Sequence, residues 1–382
     1  MLATDRRTVL KWILAMSSAS ALPPSVARAA TDWQEPMAET TELLPGVKDR
    51  IENLSASGKL AGVHGIVAVR HEQIVFERYM KGSDAAWGRA LGEVDFGPNT
   101  LHDLRSVTKS IVGLLYGIAL AKGQVPGVDA PLSTQFPEYP ELWRNPERSR
   151  LTIGQALSMT LAMQWNENVP YTDSQNSEIA MESAIDRYHY ILTRPVLGEP
   201  GKGWIYSGGD VALLGRIIEK GSRMALADFA KETLFSPLDI RSFEWAKGKD
   251  GEASAASGLR LRPRDLAKIG QLILNRGRWN GAIVVPEAWL TSSFKPRALV
   301  DIGWPGMHYG YLWFVGETAM HGTTGTYGEE FVAAFGNGGQ RLFVFPGLDF
   351  ILCVTTGNYD LPDQWRAPAA ILFDAFLPTL TS

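Results

Sequence analysis

Residues 104–123 read Leu104-Arg-Ser-Val-Thr-Lys-Ser-Ile-Val-Gly-Leu-Leu-Tyr-Gly-Ile-Ala-Leu-Ala-Lys-Gly123. Apolar side chains recur in this stretch at spacings of three and four, at Val107, Ile111, Leu114, Leu115 and Ile118. The periodicity predicts one buried helix that stops at Gly123. Ser106 and Lys109 lie at its start and, being three residues apart, share one face of the helix.

Ser106 and Lys109 form a candidate nucleophile and base. The helix N-terminus and burial both disfavour a protonated Lys109, so its amine can take the Ser106 proton. Free N–H groups of the first turn, including that of Ser106, can face a developing oxyanion. The alternative is that Ser106 caps the helix and Lys109 is a solvated side chain. The second Ser-x-x-Lys, Ser292 to Lys295, is set aside because Pro296 disfavours helical geometry at Lys295.

Two glycine-rich segments further along supply possible partners for this pair. Tyr206 lies on Gly201-Lys-Gly-Trp-Ile-Tyr-Ser-Gly-Gly-Asp210, a turn from which a tyrosine can reach a cleft and become more acidic beside an ammonium. In Ala334-Phe-Gly-Asn-Gly-Gly-Gln340, small residues let a substrate approach a strand end, and the Asn337 N–H can be the second oxyanion donor. The alternatives are an aromatic residue that only packs and a plain glycine-rich hairpin.

Strand patterns lie at both ends of the chain, with helix patterns between them. The predicted strands are residues 63–69, 73–79, 330–335, 341–345 and 350–355. The predicted helices are residues 44–60, 107–123, 153–159, 178–192, 211–220, 225–234, 263–275 and 365–376. This order indicates an α/β (α+β) fold, in which an antiparallel sheet flanked by helices carries an inserted helical region. We predict an α/β domain from residues 31–100 plus 255–382, a mainly helical domain from residues 101–254, and an active site at their seam.

The composition excludes several classes of protein. The 382 residues are 45% hydrophobic and 20% charged, as in ordinary soluble globular proteins. A formal net charge of -4 provides no polybasic surface for nucleic acid. The single cysteine, Cys353, lies in an apolar run and is predicted to be a buried strand thiol, so an internal disulfide and a Cys/His zinc site are excluded. None of the six histidines has the spacing of a metal site or a Ser-His-Asp triad, and His102 is interpreted as structural.

Residues 1–29 have the three parts of an export signal. Paired arginines at positions 6–7 lie in a charged region, residues 12–22 are apolar, and residues 27–29 form a small-x-small cleavage site. The arginines resemble the twin-arginine type of signal. We therefore expect a mature chain that begins near Ala30, in the periplasm or secreted, with no stable membrane anchor because the apolar stretch is short. An amphipathic N-terminal helix is the alternative.

The order of these motifs resembles that of the penicillin-recognising serine hydrolases, which include class C β-lactamases and D-Ala-D-Ala peptidases. The resemblance spans roughly residues 60–360 and is closest to the 6-aminohexanoate-dimer hydrolase and family VIII esterase branch. It is carried by residues 104–110, 158–160 with 165–167, 206–210, 257–260 with 265–268, and 336–340. It implies the serine β-lactamase/D-Ala-D-Ala peptidase-like fold and a two-step acyl-enzyme mechanism without metal or organic cofactor. In this implied mechanism Ser106 is the nucleophile and Lys109 accepts its proton. Tyr206 is the acid/base that protonates the leaving group and activates water.

The chain departs from class C β-lactamases at two positions of the pattern. Gly208 stands where they have a substrate-binding asparagine, and residues 334–336 stand where they have Lys-Thr-Gly. Both differences predict poor hydrolysis of β-lactams. Residues 321–323, His-Gly-Thr, are an alternative position for the strand motif. The resemblance also implies pocket walls at Trp165, Tyr171 and Trp313 and substrate contact at Gly336, with core packing as the alternative.

We predict a serine hydrolase that cleaves an amide or ester bond of a small molecule or short peptide through an acyl-enzyme on Ser106. A D-Ala-D-Ala peptidase, a penicillin-binding protein or a weak β-lactamase is the enzymatic alternative. A non-catalytic protein that binds cell wall or acyl-peptides is the alternative of another class.

Overall fold

The computed structural model describes residues 44–322 and 325–380; the predicted export signal lies outside them. The helices are α1 Val47–Ala56, α2 Val107–Ala121, α3 Ile153–Leu157, α4 Ser177–Glu182, α5 Arg187–Leu192, α6 Gly208–Ser222, α7 Leu226–Ala230, α8 Pro263–Leu274, α9 Glu287–Ser293, α10 Arg366–Ala370 and α11 Leu377–Leu380. The strands are β1 Val63–Arg70, β2 Gln73–Tyr79, β3 Gly82–Ala86, β4 Arg89–Val94, β5 His102–Asp103, β6 Glu244–Trp245, β7 Leu259–Leu261, β8 Arg278–Trp279, β9 Ala282–Ile283, β10 Ala298–Leu299, β11 His308–Tyr309, β12 Phe314–Gly322, β13 Gly325–Gly336, β14 Gln340–Phe345 and β15 Phe350–Thr356.

An antiparallel sheet of eight strands joins the two ends of the chain. Its order is β10-β11-β12-β13-β14-β15-β1-β2, and β1 pairs with β15 so that Val67 lies opposite Cys353. Every residue of β15 is buried, because α8 packs on β14, β15 and β1 while Phe376 of the C-terminal helical segment packs against Phe350. The predicted fold class and the buried strand thiol of Cys353 are confirmed.

Helices α2 to α9 all lie in the chain between the two parts of this sheet. A small sheet of order β5-β7-β6 lies at the junction, with His102 opposite Leu261. Strand β5 is followed by α2, and β7 is followed by α8. The small sheet therefore positions the start of α2, which packs against β13 and β14 of the large sheet. The division into two domains stays a prediction.

Several elements differ from the sequence prediction. Residues 178–192 form two helices, α4 and α5, because Asp186 accepts the His189 N–H and starts a new helix. The hairpin β3–β4 and strands β10 to β12 were not predicted, since their polar or short segments have weak alternation. Within residues 44–322 and 325–380, no helix has the length and apolarity needed to cross a membrane.

Candidate active site

A strained turn places Ser106 at the start of α2. Arg105 has φ of 49°, a left-handed conformation that L-residues adopt at a cost of about 1 kcal/mol or more. Its side chain is held by an ion pair to Asp103 at 3.3 Å and by stacking on Tyr359, 4.5 Å from the ring centroid. These contacts fix the direction in which the chain enters the helix.

Ser106 and Lys109 contact each other inside the protein. Lys109 Nζ donates to Ser106 Oγ at 3.0 Å and to the carbonyl of Ala256 at 3.2 Å, and Lys109 is 1% exposed. Ser106 makes no side-chain hydrogen bond that caps the helix. The alternative of a capping serine and a solvated lysine is therefore excluded.

Two buried carboxylates lie beside Lys109, and the motifs in the sequence do not identify them. Glu178 Oε2 is 3.3 Å from Lys109 Nζ, and Glu167 Oε2 is 3.8 Å from it. Burial lowers the pKa of Lys109, but the charges of Glu178, Tyr206 and Glu167 together outweigh burial and leave this pKa above its ordinary value. Burial alone therefore does not make Lys109 neutral, and its role as a proton acceptor is tied to the charges of the groups around it.

Glu167 is held by three hydrogen-bond donors. The indole N–H of Trp165 and the backbone N–H of Gly208 each lie 2.6 Å from Glu167 Oε1, and the Tyr171 hydroxyl lies 2.7 Å from Oε2. Burial raises the pKa of Glu167, and the ammonium of Lys109 offsets this only in part. The carboxyl group is thus fixed in position while its charge depends on its neighbours.

Glu178 is fixed at the start of α4. Its N–H donates to the capping side chain of Asn176 at 3.0 Å, and Ser257 donates its hydroxyl to Glu178 Oε1. A Cβ on Gly208 would lie 2.6 Å from Glu178 Oε2 and 3.0 Å from Glu167 Oε1. The carboxylates therefore fill the space that an asparagine at position 208 would need, which gives a physical reason for the glycine.

Tyr206 also lies beside Lys109. Lys109 Nζ is 4.9 Å from the centroid of its ring, and Ser207 caps the following helix by accepting the Asp210 N–H at 3.1 Å. Burial raises the pKa of Tyr206, while the Lys109 ammonium and a hydrogen bond from Ser106 lower it in part. Serine, lysine and tyrosine thus form one coupled group.

The end of β13 meets the turn that carries Ser106. A Cβ on Gly336 would lie 2.3 Å from the carbonyl oxygen of Leu104. Asn337 follows, and its side chain is held by Asp360, with Nδ2 donating to Oδ1 at 3.0 Å. The backbone at positions 336–337 therefore lies beside the turn, where the predicted oxyanion donor is needed.

The alternative strand motif lies at the other end of β13. Gly322 pairs with Gly325 where β12 turns into β13, whereas Gly336 is the last residue of β13. The eleven-residue separation corresponds to about 36 Å of extended strand. His321 and Gly322 are too far from the turn to take the role; Thr323 lies outside the described residues.

The predicted pocket aromatics have different positions. Tyr171 is half-buried and bonded to Glu167, at the site. Trp165 is 8% exposed with its ring against Gly209, and Trp313 is fully buried against Phe294, so neither lines an open pocket. Both large apolar rings pack in the core, as the alternative interpretation predicts.

Other aromatic rings lie near Tyr206. Trp204 lies 5.6 Å from the Tyr206 ring and 6.5 Å from the Phe314 ring, and Phe314 stacks on Phe335 at 4.6 Å. Trp204 stands two residues before Tyr206, which was the available sequence signal. No sequence signal marked Phe314 and Phe335, because aromatic residues at alternate positions are usual in strands.

A buried polar cluster of His64, Asp84 and His102 also forms in the structure. The metal-ligand atoms of these three residues lie within 4.8 Å of one another, although the residues are far apart in sequence. His64 Nδ1 and His102 Nε2 are hydrogen-bonded at 2.9 Å, and His102 Nδ1 bonds to the Asp103 carbonyl at 2.9 Å. Both ring nitrogens of His102 thus have hydrogen-bond partners inside the protein, which is consistent with a structural role for His102.

The fold and the Ser106–Lys109–Tyr206 cluster define a serine hydrolase. The chain belongs to the β-lactamase family, whose model matches residues 47–373. It is 23% identical over 376 residues to the 6-aminohexanoate-dimer hydrolase of Paenarthrobacter ureafaciens, with 92% of this chain and 88% of the relative covered.

Solved structures share the fold. The octameric penicillin-binding protein homologue from Pyrococcus abyssi matches with a TM-score of 0.63 and 17% identity, covering 85% of this chain and 76% of that one. EstCE1, a hydrolase with promiscuous acyltransferase activity, matches with a TM-score of 0.68 and 15% identity, covering 90% and 100%.

Proposed function

We propose that the protein hydrolyses an amide or ester of a small molecule or short peptide through an acyl-enzyme on Ser106. The observation that carries this proposal is the 3.0 Å contact between Lys109 Nζ and Ser106 Oγ, made inside the protein at the start of α2. A solvated lysine beside a serine is common, whereas a buried lysine that is paired with two carboxylates and also contacts a hydroxyl is typical of a functional site.

In the first step Ser106 Oγ attacks the substrate carbonyl carbon and gives its proton to the coupled Lys109–Tyr206 pair, which accepts it in the state that lacks one proton, as amine with phenol or as ammonium with phenolate. The oxyanion accepts hydrogen bonds from the N–H groups of Ser106 and Asn337. Tyr206 then protonates the leaving amine or alcohol as the bond to the carbonyl carbon breaks. In the second step Tyr206, which has lost its proton to the leaving group, takes a proton from a water molecule whose oxygen attacks the carbonyl carbon of the acyl-enzyme. The bond to Ser106 Oγ then breaks, the Lys109–Tyr206 pair returns a proton to Ser106 Oγ, and the acid is released.

The proposal extends to substrate and location. The relative named for the 6-aminohexanoate dimer supports a linear amide as a candidate substrate, and EstCE1 supports an ester. Glu178 and Glu167 leave no room for a side chain at position 208, where class C β-lactamases have a substrate-binding asparagine. This supports weak turnover of β-lactams. The motif in residues 1–29 supports export to the periplasm or medium.

The test is turnover of p-nitrophenyl butyrate and of the linear 6-aminohexanoate dimer. We expect Ser106→Ala to lose at least about 10³-fold in kcat, and Tyr206→Phe about 10²-fold or more with little change in substrate affinity. Ser292→Ala, from the second Ser-x-x-Lys sequence, is the matched control and should keep full activity. Equal activity in wild type and Ser106→Ala would refute the proposal, and tight binding without turnover would favour the non-catalytic alternative.

A further inference from the structure

The hairpin β3–β4 turns at a residue with an unfavourable backbone conformation. Trp87 and Gly88 join the two strands, with φ of 44° and 85°. Glycine, asparagine and aspartate are the usual residues at such positions, because a left-handed conformation is unfavourable for a bulky side chain. A tryptophan keeps this conformation only where contacts outside the turn hold it there.

The backbone of Trp87 is held by the strand that leads to the nucleophile. Its N–H donates to Asp103 Oδ2 at 2.5 Å. The same carboxylate oxygen lies 3.3 Å from Nε of Arg105, the residue directly before Ser106. The tip of the hairpin and the turn that carries the nucleophile therefore share one buried carboxylate.

The indole of Trp87 is connected to Lys109 through two further side chains. Trp87 Nε1 donates to Ser257 Oγ at 3.1 Å, and Ser257 donates its hydroxyl to Glu178 Oε1. The other oxygen of that carboxylate, Oε2, lies 3.3 Å from Lys109 Nζ. Ser257, Glu178 and Lys109 are all buried, so these contacts lie inside the protein.

The chemistry of the groups fixes the direction of these hydrogen bonds. An indole nitrogen can only donate, so Ser257 Oγ accepts from Trp87 and keeps its single proton for Glu178. Without the indole N–H, the Ser257 hydroxyl is free to turn toward another partner. Ser257 also follows Ala256, whose carbonyl accepts from Lys109 at 3.2 Å. The indole therefore holds a segment that reaches Lys109 by two routes.

We propose that Trp87 is a positioning residue of the active site: its indole N–H orients Ser257, and Ser257 orients Glu178 against Lys109. Trp87 takes no part in proton transfer. The hairpin β3–β4 thus belongs to the active site, although it lies outside the motifs of the nucleophile and its partners. This inference rests on the proposed function and adds a residue to its site.

The test is a double-mutant cycle on the hydrolysis of p-nitrophenyl butyrate, with kcat expressed per site titrated by a fluorophosphonate probe. Trp87→Phe keeps a ring and removes the N–H; we expect kcat to fall about five- to ten-fold with KM unchanged, the effect of one hydrogen bond. Ser257→Ala should lower kcat by at least as much. In the Ser257→Ala background, Trp87→Phe should cause no further loss, because the indole acts through that hydroxyl.

Trp143→Phe is the matched control. The indole of Trp143 is also half-buried and also donates one hydrogen bond, but its partner is the carbonyl of Phe136, at 2.8 Å. Trp143→Phe should therefore keep the wild-type kcat. A loss as large as that of Trp87→Phe would show that the effect does not depend on the contact with Ser257.

The outcomes separate this inference from the proposed function. An active wild type with an unchanged kcat in Trp87→Phe would overturn the role of Trp87 and leave the proposed function standing. An equal fold-loss from Trp87→Phe in the wild-type and Ser257→Ala backgrounds would do the same, because it would assign the ring a role in packing alone. A wild type that hydrolyses neither the ester nor the linear amide would overturn the proposed function and this inference with it.

Discussion

Lys109 keeps its charge inside the protein because Glu178 and Glu167 lie within 4 Å of it. The Ser106–Lys109 contact was predictable, since both residues belong to one helix turn. The carboxylates were not, because Glu178 comes 69 residues after Lys109 and reaches it only when α4 packs on α6, which in turn packs on α2. The glycine at position 208 was the available hint, and its meaning depends on the fold.

Replacing Glu178 tests whether this carboxylate tunes the coupled groups. Glu178 raises the pKa of both Lys109 and Tyr206, so Glu178→Gln should move the alkaline limb of the pH–rate profile to lower pH. Loss of the 3.3 Å contact should also reduce kcat about ten-fold or more. Glu182→Gln, one turn further along α4, is the matched control: it removes a buried carboxylate bonded to Ser254, and its profile should keep the wild-type limbs. If kcat of Glu178→Gln fell while the alkaline limb of its pH–rate profile stayed at the wild-type pH, Glu178 would have a purely structural role.

At the scale of elements, the contact between the end of β13 and the turn before α2 holds the site together. Gly336→Ala would place a methyl group 2.3 Å from the Leu104 carbonyl, so strand and turn must separate. We expect kcat/KM to fall about 10²-fold, because a displacement near 1 Å is enough to misalign a nucleophile and its oxyanion donors. Gly97→Ala, where a Cβ meets no atom within 4 Å, is the control and should change neither kcat/KM nor the melting temperature. Full activity in Gly336→Ala would show that this contact does not position the site.

Elements with strong patterns could be predicted from sequence, and those set by neighbours could not. Helix α2 and strands β1, β2, β14 and β15 follow the predicted bounds within a few residues. In α2, β1, β14 and β15 nearly every residue is buried, which gives these elements a continuous apolar pattern. The break between α4 and α5 depends on one capping residue, Asp186, within an otherwise helical pattern. Trp165 and Trp313 were expected at a pocket wall, yet only the packed fold shows that their rings face the core.

At the scale of the whole molecule, the buried network of His64, His102 and Asp84 connects three sheets. His64 lies on β1, His102 on β5 and Asp84 on β3, and Tyr359, just after β15, donates to Asp84 at 2.9 Å. Burial lowers the pKa of both histidines, that of His64 to about 4, so both are neutral in the folded protein near pH 7.

This network predicts a loss of stability in acid. Between pH 6.5 and about 4 the unfolded chain protonates the His64 imidazole while the folded protein does not, so the free energy of unfolding falls as pH falls. The lowered pKa of His102 acts in the same direction. Each histidine contributes at most about 1.4 kcal/mol per pH unit. His64→Gln should flatten this part of the curve, measured as melting temperature at pH 7, 5.5 and 4.5. Parallel curves of melting temperature against pH for wild type and variant would contradict the assignment of this acid sensitivity to His64. Glu182, whose pKa burial raises to about 7, stabilises the folded protein as pH falls, and this opposite effect cancels because wild type and variant share it.

The central claim is that Ser106 is a nucleophile activated by its contact with Lys109. Its most direct test is the intact mass of the folded protein after exposure to a fluorophosphonate probe, with Ser106→Ala as the control. We expect one covalent adduct on the wild type, none on Ser106→Ala, and retention of the adduct in Ser292→Ala. An unmodified folded wild type, or an adduct that persists in Ser106→Ala, would contradict it.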